Sequence, residues 1–319
     1  MPFYRFDEME GQYLTPRLST AHGPIIEGKM IYFCLNCKKP GEGSVIHYHP
    51  NELFIFPTVG KINSLVGTDR RIVSPGTFIH IPPSGQHQMT ATEDGPLKYL
   101  YIKDKTWTVV GLSVEEALPD HATSLEDATA EFEKAGWSVG QGEIRKDSGK
   151  ASVRIEGLGD CYHPIIEPLD APPSSGNRYY TFEGERMVFG FTEMVKAHHT
   201  PLQESIHEEF IYVLCGSLQA EVDEDREDVS AGGIIHIPIG SHYRFSTDGK
   251  KNVRFVSVAS TSRLEAGLTS RSFWKTQPIS PISSNQGPST APCARSSTAS
   301  MMPCEHPDGR QRRKGLSGI

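Results

Sequence analysis

No apolar stretch in this chain approaches the ~18 residues of a membrane-spanning helix. A surplus of positive charge is missing too. Lys and Arg number 32 against 39 Asp and Glu, a formal charge of −7, which argues against nucleic acid as the main partner. Cysteine is sparse: the six at positions 34, 37, 161, 215, 293 and 304 are scattered, which fits a reducing compartment with free thiols. The N-terminus, MPFYRFDEMEGQY, lacks the basic-then-apolar layout of a secretory signal, so a cytoplasmic location is expected. Turn formers, by contrast, are abundant. Thirty Gly and 23 Pro, with 37% hydrophobic and 22% charged residues, describe a globular chain of short strands joined by tight turns. A length of 319 residues suits two domains, each large enough to bury a core.

The chemistry concentrates between Gly43 and His87. His47 and His49 are two apart in an apolar, β-branched run. In a strand, residues i and i+2 point to one face, so both imidazoles enter the same space. His87 arrives from a later strand, after Pro82-Pro83-Ser84-Gly85. Three imidazoles converging inside a barrel make a cage for a divalent metal. Cys34 and Cys37 form a CxxC, but no second CxxC accompanies it, and a strand-end hydrophobe plus a loop thiol is the expectation. Tyr48, Phe54, Phe56 and Phe78 alternate with polar residues and are expected in the core, with one or two lining a substrate pocket. Alternation puts His80 near the inner face beside Phe78.

This layout resembles the cupin superfamily, whose first motif is roughly G-x5-H-x-H-x(3,4)-E-x6-G and second G-x5-P-x-G-x2-H. Here Gly43, His47, His49, Glu52 and Gly60 stand for the first, and Gly76, Pro82, Gly85 and His87 for the second. The resemblance implies a metal held by His47, His49, His87 and Glu52. One departure concerns the acid. Counting back from Gly60 puts Leu53 in the strict glutamate slot and Glu52 one place early. A bulge would re-aim Glu52 into the barrel; otherwise three histidines hold the metal alone, as in some cupin iron enzymes.

The pattern returns. Gly60 and Gly216, Gly76 and Gly232, and Pro82 and Pro238 are each 156 positions apart, while His87 and His242 are 155 apart. A repeat this regular argues two copies of one barrel. In the second copy Gln203 and Ser205 take the places of His47 and His49, Glu209 holds the glutamate slot, and His242 matches His87. Glu204 and His207 lie nearby. Two ligand types of four seldom hold a metal, so this barrel is expected to be structural.

The fold expected is mainly β: two tandem cupin barrels of jelly-roll (double-stranded β-helix) type, a short helical connector and a disordered C-terminal tail. Boundaries fall at 1–105 for the metal-binding barrel, 106–175 for the connector, 176–265 for the second barrel and 266–319 for the tail. The connector holds one helix, capped by Ser124 and ended by Gly136. From Lys275 the tail carries six basic residues and two acidic ones, is rich in Ser and Pro, and lacks periodicity.

Three neutral imidazoles, with or without a carboxylate, suit Fe²⁺ first, with Mn²⁺, Ni²⁺, Cu²⁺ or Zn²⁺ as alternatives. They leave cis positions for a bidentate small-molecule substrate. The expected activity is a non-haem iron dioxygenase cleaving a dicarbonyl, enolic or hydroxy-aromatic compound, with Glu52 as ligand or general base. An O₂-independent isomerase, decarboxylase or hydrolase, and a non-catalytic ligand-binding protein, are the alternatives. A homodimer paired through exposed sheet edges is expected.

Overall fold

The structure, a computed structural model, describes residues 1–140, 151–195 and 197–261. The expected tail, with its basic QRRKG run, lies outside the described residues. The strand-and-turn reading of the repeats holds. In the first barrel, Ile31–Lys38, Leu53–Val59, Thr77–Ile81 and Leu97–Asp104 form one sheet, extended by Gln12–Tyr13, His22–Gly23, Ile25–Glu27 and Tyr162–Pro164. His47–Tyr48, Ile62–Val66, Asp69–Val73, His87–Ala91 and Leu112–Ser113 form the other. The second barrel repeats this. Arg178–Glu183, Met187–Met194, Val253–Ser260, Glu209–Cys215 and Gly233–Ile237 face the sheet of His198–His199, Gln203–Glu204, Ser217–Val222, Asp225–Ser230 and His242–Thr247.

Strand periodicity divides the core into three. Along Leu53–Val59, Leu53 and Ile55 point into the first barrel with Ile79, Ile81, Tyr99 and Tyr101. Phe54 and Phe56 point the other way, with Phe78, Leu100 and Ile102, onto the second barrel's Phe189, Phe191, Phe210, Ile234, Val256 and Val258. Ile211, Val213, Ile235 and Phe255 fill the second barrel. The middle cluster is a core rather than a domain contact. It contains eight buried phenylalanines, among them Phe78 stacked on Phe189 at 4.1 Å and Phe33 on Phe210 at 5.0 Å. Each such ring contributes roughly 1.5–3 kcal/mol by leaving water. The expectation that some of Phe54, Phe56 and Phe78 line the lumen is therefore corrected, as these three belong to the junction between barrels.

The barrels also exchange edge strands. Phe3–Arg5 pairs with Gly233–Ile235 of the second barrel, and Tyr162–Pro164 pairs with Thr77–Ile79 of the first. The single α-helix among the described residues, Leu125–Ala135, starts where the Ser124 side chain accepts from Asp127 N and stops at Gly136 in the left-handed region (φ 63°). A buried Arg254 pins the connector: it pairs with Glu193 at 2.6 Å and donates to the carbonyls of Leu169, Ala171 and Pro172. Cys34 and Cys161 are free thiols. Cys34 is fully buried in the first barrel's core, where burial pushes its thiol up, in keeping with a hydrophobe's role.

Candidate metal centre

His47 and His87 sit directly opposite each other on neighbouring antiparallel strands, and His49 follows two residues on. Their ring centroids are 4.3 Å apart for His47 and His87, 5.0 Å for His47 and His49, and 5.2 Å for His49 and His87. One nitrogen from each lies within 4.8 Å of the others. All three side chains are buried.

The second nitrogen of each ring fixes its orientation. His47 Nδ1 donates to Val45 O at 2.8 Å, and His87 Nδ1 donates to Gly85 O at 2.9 Å. Each then presents an unprotonated Nε2, and that of His87 is buried with no protein partner. His49 Nδ1 lies 2.5 Å from Lys103 Nζ, and its Nε2 lies 3.3 Å from the Tyr101 hydroxyl. Burial holds all three imidazoles below the ordinary range, helped by the cationic groups around them, with His87 at about 4. Near neutral pH they are unprotonated bases, the form a metal needs. The orphaned His87 nitrogen, the tautomers of His47 and His87 and the donor type together fit a first-row divalent ion.

Glu52 is not part of this centre, and the expectation that it ligates the metal or serves as base is corrected. No bulge interrupts the strand at Leu53; the one register shift lies opposite Lys98 and Tyr99. Leu53 therefore points into the barrel and Glu52 points out, to the junction. There its carboxylate accepts from the backbone N–H of Glu185 (2.7 Å), Arg186 (2.8 Å) and Met187 (2.8 Å), and from His80 Nε2 (2.8 Å). His80 shares that outward face. The second barrel answers in kind. Glu208 accepts from Lys29 N (2.7 Å), Met30 N (2.6 Å), Ile31 N (3.0 Å) and His236 Nε2 (2.9 Å). Every partner in one clasp is 156 positions from its counterpart in the other. A glycine leaves room for each carboxylate: a Cβ on Gly184 would lie 2.3 Å from Glu52 Oε1, and one on Gly28 would lie 2.6 Å from Glu208 Oε1.

Three residues around the triad were not singled out from sequence. Lys103 is fully buried, and its Nζ also donates to Val109 O at 2.7 Å. Tyr101 stands beside it. Gly111 covers the rings, since a Cβ there would lie 2.7 Å from His49 Cε1 and 2.9 Å from His47 Cδ2. The available signal was the alternation Tyr99, Tyr101, Lys103, which shares the inward face with Leu53.

In the second barrel the inward counterpart of His87 is Tyr243, 156 positions on. The strand keeps the first barrel's register, Phe245 facing Ala220 as Met89 faces Ser64, so His242 lies one place early and is exposed while Tyr243 and Phe245 pack inward. Gln203, Ser205, Glu209 and Tyr243 thus stand where the first barrel has His47, His49, Leu53 and His87. Glu204 is exposed and His207 is partly buried outside any cluster of three ligand residues among the described ones. Burial raises the Glu209 carboxyl to about 7, against a hydrogen bond with Ser257. Among the described residues no helix is long and apolar enough to cross a membrane.

A cupin domain model matches residues 37–103 and again residues 191–259. No curated protein matches in sequence. Among solved structures, an oxalate decarboxylase studied for its substrate binding mode and reaction-specificity switch superposes with a TM-score of 0.54 at 13% identity, over 81% of this chain and 76% of that one. Bacillus subtilis oxalate decarboxylase, described with Mn(II) centres, gives 0.53 at 13% over the same shares. The B. subtilis enzyme at pH 4.6 gives 0.53 at 14%, over 81% and 75%.

Proposed function

We propose that this chain, which belongs to the cupin superfamily and carries two cupin domains, is a metal-dependent enzyme working at His47, His49 and His87 of the first barrel. The observation that carries this reading is His87 Nε2. It is a buried lone pair with no protein partner, and its ring is locked by Gly85 toward two further neutral imidazoles. We favour an iron(II) dioxygenase acting on a small dicarbonyl, enolic or hydroxy-aromatic substrate, because the centre offers three neutral nitrogens and no carboxylate. A divalent metal held by His47, His49 and His87 would supply a Lewis acid for a small-molecule substrate and, as iron(II), reactivity toward O₂.

The protein's own groups frame that chemistry. Val45 and Gly85 fix the tautomers of His47 and His87. Burial raises the Tyr101 hydroxyl well above its ordinary range, so it stays protonated and presents a donor beside His49. Gly111 lies on the rings, which are buried. Glu52 is saturated by four donors, so no proton leaves the substrate through it.

The likeness in fold to oxalate decarboxylases favours a second reading, O₂-independent decarboxylation with Mn²⁺ as the ion. Elemental analysis of the purified protein, followed by O₂ uptake with catechols, β-diketones and hydroxy-ketones and CO₂ release from small dicarboxylates, separates the two. Oxygen consumption supports the first and CO₂ without oxygen the second. Turnover that survives His87→Ala overturns both.

A further inference from the structure

We infer that Lys103 is a positioning residue that ties occupancy of the three-histidine centre to closure of the Val109–Gly111 segment above it; the inference rests on the metal-binding reading just given. Lys103 is the direct cross-strand partner of Leu53, which holds the slot the cupin motif gives to glutamate. In the second barrel the corresponding pair is Glu209 and Ala259. One copy thus has an inward acid facing a small residue. The other has an inward aliphatic facing an amine. Opposed residues of an antiparallel pair share a face, so the Lys103 chain enters the volume the glutamate would have used.

A buried amine persists only where hydrogen bonds hold it. Lys103 has two partners on different elements. On one side is His49 Nδ1 at 2.5 Å, and on the other is Val109 O at 2.7 Å. Val109 lies two residues before Gly111, where a Cβ would lie 2.7 Å from His49 Cε1 and 2.9 Å from His47 Cδ2. Beyond it, Leu112 and Ser113 pair with Tyr48 and His47. The covering segment is therefore held at its far end by strand pairing and at its near end by the lysine. Fixing the His49 ring fixes Lys103, which fixes Val109. By reciprocity, a segment held closed by Lys103 favours the ring orientation that grips an ion.

The test uses the full chain and Zn²⁺ as probe, with zinc stoichiometry read by native mass spectrometry and amide exchange read across residues 107–113. In the parent, saturating zinc should slow exchange at Val110–Ser113 by about tenfold or more. In Lys103→Met the triad should still take zinc, but that slowing should fall below about twofold. Lys38→Met removes the barrel's other buried amine, which bonds Met89 O at 2.6 Å and not His49, and should behave as the parent. If Lys103→Met does not fold, Lys103→Gln, too short to bridge both partners, is read in its place. Full zinc-dependent protection in either Lys103 variant overturns the inference, as does a parent that binds zinc without protection. A parent that binds no zinc overturns the metal-binding reading and this inference with it.

Discussion

Replacing Glu52 by Ala separates a clasp from a ligand. The carboxylate is fully buried and takes three backbone N–H groups and one imidazole. Truncation strands those three donors at the junction, where each unsatisfied group costs ~1–3 kcal/mol. Water entering the space vacated softens the sum, so a loss of roughly 3–5 kcal/mol is expected. For a chain of this size that corresponds to a fall in Tm of roughly 6–20 °C. Glu52→Gln keeps one carbonyl oxygen in the same shape and should lose about half as much. Thermal and guanidinium unfolding read the stability, and elemental analysis reads the metal. Zinc or iron content per folded molecule should not change. A Glu52→Ala protein that keeps its Tm within ~1 °C, or one that loses its metal while fully folded, would refute the clasp and restore the carboxylate to the metal.

Other perturbations probe the same frame. His47→Ala should abolish metal content while circular dichroism stays that of the parent, whereas His242→Ala, on an outward-facing position, should leave metal content unchanged. Gly184→Ala forces a methyl against Glu52 Oε1 and should cost about 2 kcal/mol or more in guanidinium unfolding; an unchanged midpoint would show that the turn yields freely. Glu209 predicts a pH effect. Its carboxyl is raised from 4.5 to about 7 in the folded protein, chiefly by burial, so the unfolded chain releases that proton first. Its contribution to stability is whole below pH 4.5 and is lost as pH rises through about 7. Glu209→Gln should flatten stability across that window and raise it at pH 8, and a variant with the parent's pH profile would contradict the assignment.

The repeat, the strands and the three histidines were legible in the sequence because each obeys a local rule. Alternation put His47 and His49 on one face, Ser124 and Gly136 bounded the helix, and the spacing of 156 announced a second barrel. Glu52 was not legible, since one residue of parity separates lumen from junction, and the choice rests on whether a bulge precedes Leu53. His80, Phe54 and Phe78 followed the same parity. Nothing local reveals that a strand's outward face meets another barrel instead of water. The clue lay in the comparison of copies. Glu52 with His80 and Gly184 in one, and Glu208 with His236 and Gly28 in the other, keep the common spacing, while the ligand positions diverge. Lys103 escaped notice because a lysine near a strand end ordinarily marks a solvent edge.

The two clasps and the exchanged edge strands have the reciprocity of an isologous contact: what one half does to the other is returned, residue for residue. A single polypeptide carries within itself the geometry of a twofold dimer, fused and permanent. Neither half is complete without a strand lent by the segment ahead of the other, so severing the chain between them leaves two unfinished sheets rather than two small proteins. The outward face of each half is bound by that mutual obligation. The lumen is not, and there the halves have been free to drift apart, to histidines and a lysine in one and to a glutamate and a tyrosine in the other.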